Sequence, residues 1–155
     1  MLDKNGYRLN VGIVLANQTG QLFWGKRIHS QEWQFPQGGV HPYETLEETM
    51  YRELDEEIGL TTQDVKIITA TKRWLRYRLP TRRTSPLFVG QKQKWFLLLL
   101  TSNDNNIRLN ASKKPEFNNW YWIKYWAPLQ QVVYFKRHTY RTVLTEFASI
   151  INNQG

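Results

Sequence analysis

The 23 residues from Gly38 to Leu60, GGVHPYETLEETMYRELDEEIGL, decide how this chain is read. Seven of the thirteen acidic residues fall inside them, against a single base, Arg52. Leu46, Met50, Leu54 and Ile58 recur every four residues, the apolar stripe of an amphipathic helix. A helix is expected from about Tyr43 to Ile58, with Pro42 suiting its start and Gly59 its end. On that helix Glu53, Glu56 and Glu57 stand at i, i+3 and i+4, so their carboxylates converge on one patch beside the apolar stripe. Like charges so placed repel, and the last of them meet the negative end of the helix macrodipole. Several local costs at one place point to a site. Hard oxygen donors with no His or Cys among them favour Mg²⁺ or Mn²⁺ over zinc.

Arg52 lies eight residues after Glu44 and four before Glu56, within reach of either carboxylate. Its expected role is structural, pairing with a neighbouring acid to hold the geometry of loop and helix. Glu44, expected near the helix start where the dipole favours an acid, is read as a second organiser. Gly38 and Gly39 would let backbone carbonyls approach a cation, a place a side chain would obstruct.

Outward from this stretch, the chain is read as one domain over residues 1–155. Its 41% apolar and 14% aromatic content argues against disorder. The longest apolar run, Trp95 to Leu100, suits a buried strand and is too short to cross a bilayer, so no membrane association is expected. The N-terminus lacks the features of a signal peptide, and zero cysteines exclude disulfides and thiolate metal sites. A cytoplasmic location is the expectation. One base against seven acids gives Gly38–Leu60 a charge of −6, leaving 20 bases and 6 acids, or +14, elsewhere. An acidic centre in a basic surround suits a protein that holds cations and a polyanion together. Lys72 to Lys94 alone has eight bases and no acid.

Tyr7 to Asn17 and Gln21 to Arg27 read as a hairpin about the Asn17–Gly20 turn. Val65 to Leu79 reads as a long strand or a strand pair, Gln91 to Thr101 as a buried strand, and Trp120 to Trp126 as an aromatic one. Thr81–Gly90 and Asn103–Asn118 read as loops. Arg137 to Asn152 carries Tyr140, Val143, Leu144, Phe147, Ile150 and Ile151 at helical spacing. A mixed sheet with helices packed against it follows, an α/β (α+β) architecture.

The order Gly38-x5-Glu44-x7-Arg52-Glu53-Leu54-x-Glu56-Glu57-x-Gly59-Leu60 resembles the Nudix box, with every defining position filled. The resemblance implies an α/β/α sandwich with a mixed central sheet and hydrolysis of a nucleoside diphosphate linked to another group. It also implies divalent cations, more than one per site, held by Glu53, Glu56 and Glu57. GYRLNVGIVLAN, WQFPQGG, WLRYRLP, GQKQKWFLLLL, PEFNNWYW and VVYFKRHTYR are similar to the bacterial RNA pyrophosphohydrolase branch, from Gly6 to about Phe147. Members of that branch convert the 5′ triphosphate of RNA to a monophosphate and promote mRNA decay. The substrate implied is 5′-triphosphorylated RNA and not DNA. The main departure is a short Thr81–Val89 loop.

Phosphoanhydride cleavage needs a carboxylate to take a proton from water. Glu56, Glu57 and Glu116 are the candidates, and by resemblance Glu116 is also a metal ligand outside the box. Arg8, Arg27, Lys92 and Lys94 are the candidate phosphate ligands. Phe135 and Lys136 are carried over from the branch as receivers of the first nucleotides, where single-stranded bases stack on aromatics. A dinucleoside polyphosphate hydrolase is the alternative with the same chemistry. A non-catalytic RNA-binding module is a further one, against which the complete set of repelling acids argues.

Overall fold

The computed structural model describes residues 1–80 and 88–152. An eight-stranded mixed sheet forms the middle layer: β1 (Tyr7–Ala16), β2 (Leu22–Arg27), β3 (Trp33–Gln34), β4 (Gln37–Gly39), β5 (Val65–Ala70), β6 (Leu75–Arg78), β7 (Gly90–Leu100) and β8 (Phe117–Ile123). The central pair, β1 and β7, is parallel, and every other pairing is antiparallel. Three α-helices accompany the sheet: α1 (Leu46–Ile58), the single turn α2 (Pro128–Gln131) and α3 (Arg137–Asn152).

Strand periodicity assigns the two faces. Val11, Ile13 and Leu15 of β1 join Met50, Leu54 and Ile58 of α1 in one core. Val14 and Ala16 join Tyr140, Val143, Leu144 and Phe147 of α3 in the other. Helices on both faces of one mixed sheet make the α/β/α sandwich.

The helix of the acidic stretch begins later than Pro42 implies. Thr45 is its N-cap, its hydroxyl accepting from the Glu48 amide at 3.1 Å while Glu48 Oε1 accepts from the Thr45 amide at 2.8 Å. This capping box satisfies two amides of the first turn, a stronger start signal than a proline three residues earlier. Pro42 to Glu44 form a turn instead, with Tyr43 fully exposed at φ 70°. Glu44 therefore stands before the cap and not in the helix. Gly59 ends the helix in the left-handed region, φ 73°, donating its amide to the Asp55 carbonyl at 3.0 Å.

Val65–Leu79 resolves into two strands, β5 and β6, both on the same edge of β7. β8 starts at Phe117, earlier than expected, because the ring of Phe117 lies against Gly25 of β2 and joins the core. The expected loop at Thr81–Gly90 falls largely outside the described residues, and so does the short loop at Thr81–Val89. Among the described residues no helix is long and apolar enough to cross a membrane.

Candidate active site

The β4 strand runs beside β1 and delivers Gly38 and Gly39 to the foot of α1. A Cβ at Gly38 would collide with the Glu53 carboxylate, so glycine there is what allows Glu53 to lie against the backbone. Glu53 is 7% exposed. Burial pushes its carboxyl up, opposed by the Arg52 guanidinium. Glu53, Glu56 and Glu57 place carboxylate oxygens within 4.8 Å of one another, as the i, i+3, i+4 spacing requires.

Glu57 is the strained member. Burial, followed by the charges of Glu53, Glu116 and Glu56, pushes its carboxyl up to about 8. Its Oε2 is buried without a hydrogen-bond partner. An orphaned buried oxygen amid three further carboxylates fits a positive ion, because a cation would offset both the desolvation and the repulsion. The donors are hard oxygens, and Gly38 adds backbone without a side chain in the way. The residues present fit Mg²⁺ or Mn²⁺.

Arg52 ties this cluster to the preceding turn. Its guanidinium donates to Glu44 through Nε at 2.7 Å and Nη2 at 2.9 Å, and to the Gly39 carbonyl at 2.9 Å. Nη1 donates to Glu53 at 2.8 Å and reaches Glu56 at 3.5 Å. Glu44 also accepts from the His41 amide and the Thr49 hydroxyl. The Arg52 hydrogen bond is the main cause holding the Glu44 carboxyl down at about 2. The forked pair clamps the turn to the helix.

From the acidic cluster a cleft of about 420 Å³ extends across the sheet. Glu53, Glu57 and Glu116 line one part of it, and Arg8, Arg27, Phe135 and Lys136 line the rest. Glu116 sits beside Arg27, whose Nε donates to Oε1 at 2.6 Å, and the Glu116 charge is one of those pushing the Glu57 carboxyl up. Arg8 stands over the Phe88 ring at 5.7 Å, and its charge acts on Glu53. Lys136 is 4% exposed, its ammonium donating to Gln34 at 2.7 Å and lying 5.8 Å from the centre of the Tyr77 ring. The Phe135 ring is half-buried, 6.0 Å from that of Tyr77.

Lys92 and Lys94 are placed elsewhere. Both project from the opposite face of β7, Lys92 toward Asp3 at 3.5 Å and Lys94 toward the carbonyls of Thr71 and Lys72. Sequence reasoning passed over Tyr77, Phe88, Gln34, Gln37 and Gln91, which line the cleft. The signal available was a polar residue at a central strand position, as at Gln91 and Gln93. Gln93 is fully buried and donates to both Asn10 and Gln37, which braces the β4 strand from behind. A second cavity of about 450 Å³, between the Asn17–Gln21 turn and the end of α3, has no carboxylate in its lining.

A family model described as the NUDIX domain matches residues 6–147. An RNA pyrophosphohydrolase of Proteus mirabilis is 54% identical to this chain, the match covering 97% of it and 88% of the relative. One of Shewanella denitrificans is 56% identical, covering 96% and 88%. Among solved structures, the Escherichia coli dihydroneopterin triphosphate pyrophosphohydrolase superposes with a TM-score of 0.71 at 18% identity, covering 91% of this chain and 99% of that one, a likeness of fold alone.

Proposed function

The chain belongs to the Nudix family, and from that premise we propose that it is an RNA pyrophosphohydrolase, removing pyrophosphate from triphosphorylated RNA 5′ ends to leave a monophosphate. It is a hydrolase of phosphoanhydride bonds, acting in this reading on transcripts in the cytoplasm and promoting their decay. The observation that carries the reading is one cleft with a carboxylate cluster at one end and Arg8, Arg27 and Lys136 beyond it. A triphosphate laid along that cleft meets guanidinium and ammonium groups, while the half-buried Phe135 ring offers a face to the first bases.

Nudix hydrolases generally use divalent metal ions, and the acidic cluster is present here. We assign Mg²⁺ or Mn²⁺, more than one ion, to Glu53, Glu56, Glu57, Glu116 and the Gly38 carbonyl. When bound, such ions neutralise phosphate charge and make water more acidic. The chain's own groups do the rest. Arg8 and Arg27 hold the phosphates in line, and the tie between Arg52 and Glu44 keeps Glu53 and Glu56 in register. Water attacks phosphorus, the anhydride P–O bond breaks and pyrophosphate leaves. The proton released from water passes to a carboxylate of the cluster.

The test is to incubate the protein and Mg²⁺ with RNA carrying a 5′ triphosphate and to follow pyrophosphate release and the appearance of monophosphorylated ends. Both are expected at equal rates. An intact triphosphate under these conditions would refute the assignment.

A further inference from the structure

We propose that the sheet face behind the cleft is a track for the single-stranded RNA that follows the 5′ end, an inference that rests on the RNA reading above. Strands β1, β6 and β7 pair residue by residue, Arg8 with Gln91 and Tyr77 with Gln91. These three residues face the cleft. Successive strand residues alternate faces, so Tyr7, Arg76, Arg78 and Lys92 lie on the other side of the same strands.

That other side is basic and aromatic. The Lys92 and Lys94 ammoniums stand 5.5 and 5.8 Å from the centre of the Trp74 ring. The Arg76 guanidinium stands 5.1 Å from the centre of the Tyr7 ring. Arg76 and Arg78 are exposed. Asp3 pairs with Lys92 at 3.5 Å. A merely solubilising surface intersperses the two signs. This one sets four cations against the single acid Asp3 in the described ion pairs and adds rings between the cations, the pattern that takes a single strand by its phosphates and bases together. Helix α1 covers the Val11, Ile13 and Leu15 part of this face, so the track occupies the Tyr7 end.

The route between the two faces is short. Among the described residues β6 pairs only with β7, which leaves β6 as an edge. Tyr77 of β6 faces the cleft, while its neighbours Arg76 and Arg78 face the track. RNA leaving the cleft beside Tyr77 and Phe135 rounds that edge and meets Arg76, Arg78 and then Lys92. The two lysines that stand outside the cleft thereby acquire a role in holding substrate, though not at the triphosphate.

The test uses the full chain with Mg²⁺ and two variants, Arg76→Glu/Arg78→Glu and Arg76→Gln/Arg78→Gln, the second guarding against misfolding by charge reversal. Substrates are a triphosphorylated dinucleotide and a triphosphorylated single strand of about 20 nucleotides, long enough to leave the cleft. The expected result is a KM for the long RNA raised roughly tenfold, with its salt dependence flattened by about 0.7 per lost contact. Its kcat and the dinucleotide kinetics should match wild type. Equal losses on both substrates, or unchanged kinetics on the long RNA, would overturn the track. Unchanged RNA kinetics with lost binding to phosphatidylserine vesicles would assign the face to a membrane surface and overturn it likewise. A wild-type protein that hydrolyses neither RNA would overturn the reading beneath it as well.

Discussion

Glu57 has one carboxylate oxygen buried without a hydrogen-bond partner amid three further acids, and this placement governs how it titrates. Its carboxyl is pushed up to about 8, so in the metal-free protein its contribution to stability is fully present below the unfolded carboxylate range and is lost as pH rises through about 8. Glu57→Gln removes that loss. Metal-free wild type should therefore drop in Tm between pH 6 and pH 9 more than the variant does, and Mg²⁺ should restore the wild type most at the upper end. Thermal melts at both pH values check this, and parallel curves for the two proteins would contradict the assignment. The acidic trio was legible from spacing alone, because i, i+3 and i+4 on a helix leave no other arrangement. The orphaned oxygen was not legible, since it depends on the β4 strand and on Glu116, 59 positions away in the chain.

At the scale of the elements, α1 is held in place by its ends. The capping box at Thr45 and the left-handed Gly59 set where the helix starts and stops, and thereby which turn Glu53 and Glu57 occupy. Thr45→Ala should cost about 1 kcal/mol of stability, as loss of an N-cap does, measured by urea denaturation. Activity at a temperature where the variant is folded should survive, because Arg52 still ties Glu44 and the Gly39 carbonyl to the helix. The capping box was written in the sequence as Thr45-x-x-Glu48, yet Pro42 is the more conspicuous start signal. The turn it makes instead is what brings Glu44 to Arg52. Strand faces were harder to read. Alternation along β7 separates Gln91 and Gln93 from Lys92 and Lys94, but it does not say which set meets the cleft. That is settled by the parallel register with β1 and by the position of α3, neither of which is local.

Across the whole molecule, charge is segregated along the sequence, the Gly38–Leu60 stretch carrying a net −6 and the remainder +14. The α/β/α architecture was accessible from strand and helix patterning together with the likeness to the Nudix box. The cleft was not, because Arg8, Arg27, Glu57, Tyr77, Glu116 and Lys136 come from separate elements that only the folded sheet assembles. In the proposed reading the carboxylate cluster carries phosphoanhydride hydrolysis, and the basic, aromatic part of the cleft carries the choice of substrate. These two claims are separable by comparing kcat/KM, with Mg²⁺ at fixed salt, for 5′-triphosphorylated RNA and for diadenosine tetraphosphate. The account predicts a clear preference for the RNA, abolished on both substrates by Glu57→Gln. A preference for the dinucleotide would contradict it.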